Sequence, residues 1–322
     1  MNVLIFGTGG VGCIYAYILV KSGAQVTAVC RSNYDVVSTK GITLDSALFG
    51  TVTANPTAVR HVSDAQGPFD YILVCAKNFP DQAKLIAPAV SPKTSIVLCQ
   101  NGIDIEPEYV LAYPSNTVIS GVVYLPTTQV SPGFVKMGPL QLLHVGTYPA
   151  TAGPAAKEAT QRFADLFSKG GGIIRVHDDI QAQRWVKLAV NIAWNPICAL
   201  SQCDDANFMR SSEATEPAIR AVMAEVAWLA GTAGYPDVVT PAAIDEQLER
   251  PRQRLKTGGK EPSMLTDVRE GRALEAEAIL GNAVRIARRL NVSTPYLDLL
   301  YALAKGLSFA IEKPNGEWKP IA

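Results

Sequence analysis

The chain has 322 residues, 48% of them hydrophobic and 18% charged, enough to bury the cores of two globular domains. Its 29 basic and 29 acidic residues cancel, so no net field draws a nucleic acid or an anionic membrane, and the partner is expected to be a small molecule. No window reaches the roughly 20 apolar residues of a membrane span, the N-terminus lacks a signal peptide's basic start and long apolar core, and six scattered cysteines without a CxxC pair fit a reducing, cytosolic setting.

Asn2 to Phe6 (NVLIF) reads as a short strand, stopped by GTGGVG and followed by CIYAYILVKSG, whose apolar character and closing Gly23 suit a helix. Strand, glycine turn and helix is the order a dinucleotide site needs. In Gly7-x-Gly9-x-x-Gly12, Gly7 permits the tight turn, Gly9 admits a pyrophosphate against the backbone, and Gly12 lets helix and strand pack closely, with Gly10 in the same turn. The pyrophosphate would sit on the helix N-terminus, where free N–H groups and the helix dipole favour an anion. The bland alternative is a structural glycine turn.

The next strand, Gln25 to Cys30, ends where an NAD-preferring site would offer a carboxylate to the ribose hydroxyls. Arg31 stands there, followed by Ser32 and Asn33. A planar guanidinium suits a 2′-phosphate that a carboxylate would repel, so the expected cofactor is NADP(H). An ordinary surface arginine is the competing reading. Asp70 to Ala76 and Ser95 to Cys99 have the continuous apolar character of central parallel strands. They run into Lys77-Asn78 and Gln100-Asn101-Gly102, and ligands of open α/β sheets bind beyond such strand ends. Lys77 and Asn101 are therefore cofactor-side candidates, against a reading as loop caps. Residues 116–146 look like antiparallel strands that extend the sheet. A helix at Pro154 to Phe167 and a strand at Gly172 to Val176 complete a domain expected over 1–178.

Residues 179–322 read as almost entirely helical, with helices at Ile180 to Trp194, Glu213 to Ala233, Ala242 to Leu255, Leu265 to Leu290 and Thr294 to Ile311. In QRWVKLAVNIAWNP, Lys187, Asn191 and Asn195 stand four residues apart and project from one helix face. An ammonium and two amides on an otherwise apolar segment are costly to bury without partners, so they should line a polar cleft. The alternative is an exposed lysine with two bridging amides. Lys256 to Pro262 (KTGGKEP) reads as a mobile connector. After it Ser263, Asp267, Gly271 and Glu275 recur every four residues along one helical stripe. Gly271 inside a helix costs about 1 kcal/mol relative to alanine, which suggests close approach of a ligand or another helix. The bland readings are Ser263 as an N-cap, Asp267 as a first-turn acid and Glu275 as a solvated face residue. His61, His144 and His177 lie far apart in sequence without ligand spacing, so no metal site is expected. Long apolar helices such as 217–233 suit the core or a second subunit equally well, which leaves a homodimer open.

Taken together, GTGGVG, Arg31, Lys77, QNG at 100–102, WVKLAVNIAWNP and SMLTD twelve residues before a glutamate resemble the ketopantoate reductase family, 2-dehydropantoate 2-reductases that use NADPH. The resemblance runs over nearly the whole chain in the same order. It implies an α/β protein in which a Rossmann-type N-terminal domain is followed by an all-α C-terminal domain, with the active site in the cleft between them. It also implies Lys187 as the catalytic lysine and general acid, Glu275 as the active-site glutamate, and Asn101 beside the nicotinamide and substrate. Asn191 and Asn195 match the substrate-side amides and Ser263 the serine that meets the substrate carboxylate. There are departures: Cys198 replaces the usual threonine, Thr266 a glutamine, and Leu274-Glu275-Ala276-Glu277 the usual TEID. Cys198 and Leu274 make the surroundings less polar, which bears on the substrate. The implied reaction is reduction of ketopantoate to pantoate. The alternatives are a branched 2-oxo acid without the 4-hydroxyl, such as 2-oxoisovalerate, and a non-catalytic NADP(H)-sensing protein. A 3-hydroxyacid or 6-phosphogluconate type dehydrogenase fits SMLTD and Arg31 less well.

Overall fold

A computed structural model describes residues 1–313, so the end of the expected helical domain, 314–322, lies outside the described residues. The chain forms two compact units, Met1–Asn101 with Ile105–Gln181, and Gly102–Asp104 with Ala182 onward.

The first unit is α/β. In chain order it contains β1 (Asn2–Phe6), α1 (Gly10–Lys21), β2 (Gln25–Val29), α2 (Tyr34–Lys40), β3 (Ile42–Ser46), β4 (Gly50–Ala54), β5 (Thr57–Val59), β6 (Tyr71–Val74) and α3 (Gln82–Leu85). It continues with β7 (Ser95–Leu98), α4 (Glu106–Ala112), β8 (Val118–Tyr124), β9 (Thr127–Ser131), β10 (Phe134–Met137), β11 (Leu142–Tyr148), α5 (Pro154–Lys169) and β12 (Ile174–Val176). Eight strands make one sheet in the order β12-β11-β8-β7-β6-β1-β2-β5. All neighbours run parallel except β8 and β11. From β1 the chain steps to β2 and β5 on one side and then to β6 on the other, which makes a switch point beyond the C-terminal end of β1. Val3, Leu4 and Ile5 are fully buried, so both faces of β1 are covered, which is why the strand is a continuous apolar run. Cys13, Tyr15 and Ile18 of α1 pack on the sheet together with Phe163 and Phe167 of α5, and Tyr15 meets Phe167 edge-on at 5.1 Å.

Two expectations need correction here. Only β8 and β11 of the 116–146 strands extend the large sheet; β9 and β10 join a separate four-stranded sheet in the order β4-β3-β10-β9. Its members β3 and β4 form a hairpin, Ile42 opposite Ala54, that the sequence reading passed over. The histidines are also closer than their spacing suggests, since His144 Nδ1 and His177 Nε2 lie 2.7 Å apart where β11 pairs with β12.

That bond needs a lone pair on one ring and a proton on the other. Burial, followed by the charges of His177 and Arg175, holds His144 down at about 4. Burial and then Arg175 lower His177, opposed by Asp178. A histidine with a depressed folded pKa contributes stability that is complete above its unfolded value, 6.5, and is lost as pH falls toward about 4. The thermal midpoint is expected to drop between pH 6.5 and 4.5, and His144→Asn to flatten that part of the profile. Parallel profiles for the two proteins would remove the pair from this role.

The second unit is helical: α6 (Gln181–Ser201), α7 (Asp205–Ser211), α8 (Thr215–Thr232), α9 (Pro241–Arg254), α10 (Ser263–Arg269), a π-helical turn (Glu277–Gly281), α11 (Asn282–Arg289) and α12 (Pro295–Glu312). Trp185, Leu188 and Ile192 of α6 pack into a core with Met223 and Val226 of α8 and with Leu280 and Val284. Among the described residues no helix is long and apolar enough to cross a membrane.

Helix α6 runs through Pro196 rather than ending at Trp194, because its C-terminal half is held by burial of Cys198 and Ala199. The single helix expected over 265–290 is broken. Gly271 takes φ +63°, and Arg272 N–H bonds to Asp267 O at 2.8 Å while Gly271 N–H bonds to Val268 O at 3.1 Å. This pattern closes a helix with a left-handed residue, so Gly271 terminates α10 and makes no room for a ligand inside it. The four-residue stripe therefore ends at Asp267, and Glu275 lies beyond the break. The connector at 256–262 is anchored rather than free: Asp205 Oδ1 accepts from Lys260 N–H at 2.7 Å, Asp205 N–H donates to Lys260 O at 3.3 Å, and Arg254 pairs with the same carboxylate.

Candidate active site

The first unit gathers the dinucleotide candidates at the switch point. Gly7 has φ +97°, and a Cβ there would lie 2.4 Å from the Ala76 nitrogen; a Cβ on Gly12 would lie 2.1 Å from Gly7 O. Neither position accepts a side chain. Gly9 faces open space, with nothing within 4 Å of a Cβ, and Gly10 begins α1 beside the Thr127 methyl. The helical ladder at this end starts with Cys13 N–H to Gly9 O, 2.9 Å, so the N–H groups of Gly10, Val11 and Gly12 precede it. A cradle of bare backbone donors on an open side fits a pyrophosphate.

Thr8 Oγ1 donates to Val29 O at 2.7 Å and Asn33 Nδ2 donates to Thr8 O at 2.7 Å, which ties the glycine turn to the end of β2. Arg31 is exposed between these two anchors, and its guanidinium makes no ion pair among the described residues. On the adjacent strand end Arg60 lies over the Tyr34 ring at 4.1 Å and bonds to Asp35 at 2.6 Å, a second guanidinium that the sequence reading missed.

Lys77 and Asn101 follow the ends of β6 and β7, and both are half-buried. A buried amide network fixes the backbone beside them. Gln100 Nε2 donates to Ala76 O at 2.8 Å and to Gln82 Oε1 at 2.6 Å, Gln82 Nε2 donates to Lys77 O, and Asn78 Nδ2 donates to Gln100 Oε1 at 3.3 Å. Gln82 carried no signal in the sequence, because the two strand ends it joins are separated by a whole crossover.

The remaining candidates belong to the second unit. Lys187, Asn191 and Asn195 follow one another along α6, as the spacing requires. Asn191 and Asn195 are 9% and 5% exposed, and neither amide has a hydrogen-bond partner among the described residues. Amides that find no protein partner on otherwise buried residues, and that are not closed off from solvent, are open to a ligand. Pro196 lacks the N–H that would reach the carbonyl of Ile192, which leaves a further acceptor beside them. Lys187 is half-buried. Burial first, and then the positive charges of Lys260 and Arg250, bring its amine from 10.5 down to about 8.

Ser263 is exposed as the first residue of α10, where Pro262 holds the N-cap position and no side chain caps the helix, so its hydroxyl is not a cap. Asp267 is 2% exposed and accepts from Arg272 Nε and Nη2 at 3.0 and 2.8 Å, a structural pair that holds the helix terminus. Glu275 is 7% exposed rather than solvated, and it is engaged by other groups, as is Lys187. Its backbone is fixed on both sides: Leu274 N–H donates to Ser308 Oγ of α12 at 3.1 Å, and Ile279 N–H reaches Glu275 O at 3.2 Å. Among the described residues no group of three or more histidine, cysteine or acidic side chains gathers as a metal site would require.

Residues 3–150 match the family model for ketopantoate reductase PanE/ApbA, and residues 179–308 match the model for its C-terminal domain. An uncharacterized protein of Saccharomyces cerevisiae, YDL144C, is 30% identical, covering 94% of this chain and 92% of its own length. A 2-dehydropantoate 2-reductase of Nostoc is 26% identical, covering 94% of each chain. Among solved structures, a 2-dehydropantoate 2-reductase from Methylococcus capsulatus is 34% identical over 99% of this chain and 100% of its own, with a TM-score of 0.84. D-mandelate dehydrogenase with NADH and anilino(oxo)acetate superposes with a TM-score of 0.85 at 21% identity, covering 97% of this chain and all of its own, which shows a shared fold.

Proposed function

We infer the reaction from one premise: the chain belongs to the ketopantoate reductase family. The family is one of oxidoreductases acting on CH–OH groups, and the reading here is NADPH-dependent reduction of a 2-oxo acid to a 2-hydroxy acid, with ketopantoate as substrate and pantoate as product. The observation that carries it is the α6 face, where an amine lowered to about 8 stands in line with the amides of two buried residues, Asn191 and Asn195, that have no hydrogen-bond partner among the described residues and stay open to solvent.

Bound NADPH would supply the hydride that goes to C2 of the oxo acid. Gly7, Gly9, Gly10 and Gly12 cradle its pyrophosphate, Arg31 pairs with the 2′-phosphate, and Lys77 lines the cofactor side. Asn101 positions the substrate and the nicotinamide. As the carbonyl oxygen gains charge, Lys187 stabilises it and delivers a proton, so the product leaves as an alcohol and solvent returns a proton to the amine. A donor near 8 is still protonated at neutral pH and gives up its proton more readily than an ordinary lysine. Asn191, Asn195 and Ser263 hold the carboxylate end. Glu275 balances Lys187 and accepts a hydrogen bond from the substrate hydroxyl.

One observation favours a second substrate. Cys198 is fully buried and Leu274 is 4% exposed, so two positions that are usually polar in the family are apolar here. That suits a branched 2-oxo acid without the hydroxyl. NADPH consumption by the purified protein over ketopantoate, 2-oxoisovalerate and an aromatic 2-oxo acid decides. Highest kcat/KM on ketopantoate is the expected result, preference for 2-oxoisovalerate moves the substrate, and no oxidation with any of them favours the non-catalytic, cofactor-sensing reading.

A homodimer is part of the same reading, supported by exposed Trp228 on α8 and Tyr296, Leu299 and Leu303 on α12. So is a cytosolic setting, supported by six cysteines that are all free.

A further inference from the structure

Three residues from the middle of the α/β sequence, Gly102–Asp104, belong to the helical unit. They are held there at every step. Arg184 Nη1 donates to Gly102 O at 2.9 Å. Ile103 N–H donates to Ala278 O at 3.2 Å, and Asn282 Nδ2 donates to Ile103 O at 2.6 Å. Asp104, at φ +57°, meets both terminal nitrogens of Arg289 at 3.2 Å. Gly102 is at φ +108°, and a Cβ on it would stand 2.4 Å from Ala278 O. The carbonyl that receives Ile103 belongs to the π-helical turn, whose wider winding takes backbone groups out of the ordinary ladder.

Arg184 is the unusual member of this set. It is 2% exposed, the largest of the fully buried side chains, and burying a guanidinium is costly unless its donors are used. It precedes Lys187 by one helical turn on α6, so the loop and the lysine share one rigid support. Asn101 is joined to Gly102 by a single peptide bond. We propose that Arg184 is a positioning residue for the reduction, fixing Gly102–Asp104 to the helix that carries Lys187 and thereby setting the place of the Asn101 amide; this rests on the reductase reading above. Asn282 holds the same segment through Ile103 O, on a half-buried side chain whose loss threatens the fold less.

The test compares the parent protein with Arg184→Lys, Asn282→Ala, Asn101→Ala and the double variant Arg184→Lys/Asn101→Ala. Lysine keeps the charge but loses the planar fork. The expected result for Arg184→Lys is a kcat about 10- to 100-fold lower, since a displacement near 1 Å can cost that much, with the Kd for NADPH in the binary complex unchanged. Amide exchange at Ile103 should accelerate in both loop-holding variants. The double variant should turn over no more slowly than Asn101→Ala alone, because Arg184 acts through Asn101. Should Arg184→Lys fail to fold, Asn282→Ala with its own Asn101 double variant gives the same comparison. Parental kcat with a freed Ile103 amide, unchanged Ile103 exchange, or independent losses that multiply would each overturn the proposal. Absence of 2-oxo acid reduction by the parent would remove the functional reading and Arg184's role in it, while Ile103 exchange would still report separately whether Arg184 fixes the loop.

Discussion

Replacing Lys187 with alanine is expected to lower kcat for 2-oxo acid reduction by at least about 100-fold while changing NADPH affinity by less than about threefold. The loss is large because the group removed acts when the carbonyl oxygen becomes negative, and a positioned proton donor contributes at least that factor. Cofactor affinity should stand because the glycine turn and Arg31 belong to the other unit, with their own anchors in Thr8 and Asn33. The same lysine sets a pH dependence. Reduction needs the protonated amine, so kcat should be flat below about 8 and fall with rising pH above it. Oxidation of the 2-hydroxy acid needs the neutral amine and should rise through the same range. Near-normal turnover in Lys187→Ala, measured by steady-state NADPH consumption, would take the proton-donor role away from this residue.

Arg31→Ala is expected to weaken NADPH binding by about 10- to 100-fold and NADH binding by less than about threefold, the scale of one lost charge-assisted bidentate contact. Arg31 is exposed and lacks an ion-pair partner among the described residues, so its removal leaves no orphaned carboxylate, and the bonds from Thr8 and Asn33 keep the turn in place without it. Fluorescence titration of both cofactors measures the two losses side by side. Equal losses would reject the 2′-phosphate assignment. A parent protein that prefers NADH, the cofactor in the D-mandelate dehydrogenase structure of the same fold, would reject it as well.

The parts of the site that could be read from the chain are those whose chemistry is local. A turn that tolerates no Cβ leaves glycines at fixed spacing, as Gly7 and Gly12 show with their contacts to Ala76 and Gly7 O. A helix stacks every fourth residue, so Lys187, Asn191 and Asn195 are legible as one face from the sequence. The same rule misled at Gly271. A glycine inside a helical pattern can continue the helix or end it, and the choice was made by the bonds of Arg272 and Gly271 back to Asp267 and Val268. Glu275 then depends for the position of its backbone on the bond from the neighbouring Leu274 N–H to Ser308, which spans 34 residues. The His144 and His177 pair spans 33 residues, and the hold on Gly102 by Arg184 spans 82. Such contacts are products of packing, and no local periodicity announces them. The hairpin of β3 and β4 escaped for another reason: its burial is one-sided and its turn carries Leu48 and Phe49 in place of the usual polar turn residues.

The proposed reduction moves hydride from a nicotinamide to the C2 carbon of a 2-oxo acid, so an isotope label on the nicotinamide should follow it into the product. Single turnover of the purified protein with NADPH carrying deuterium at the transferable C4 position, and ketopantoate as acceptor, should give pantoate labelled at C2, with the label nearly absent on the same timescale in Lys187→Ala. NADPH that binds but passes no deuterium to ketopantoate, 2-oxoisovalerate or any other 2-oxo acid would contradict it.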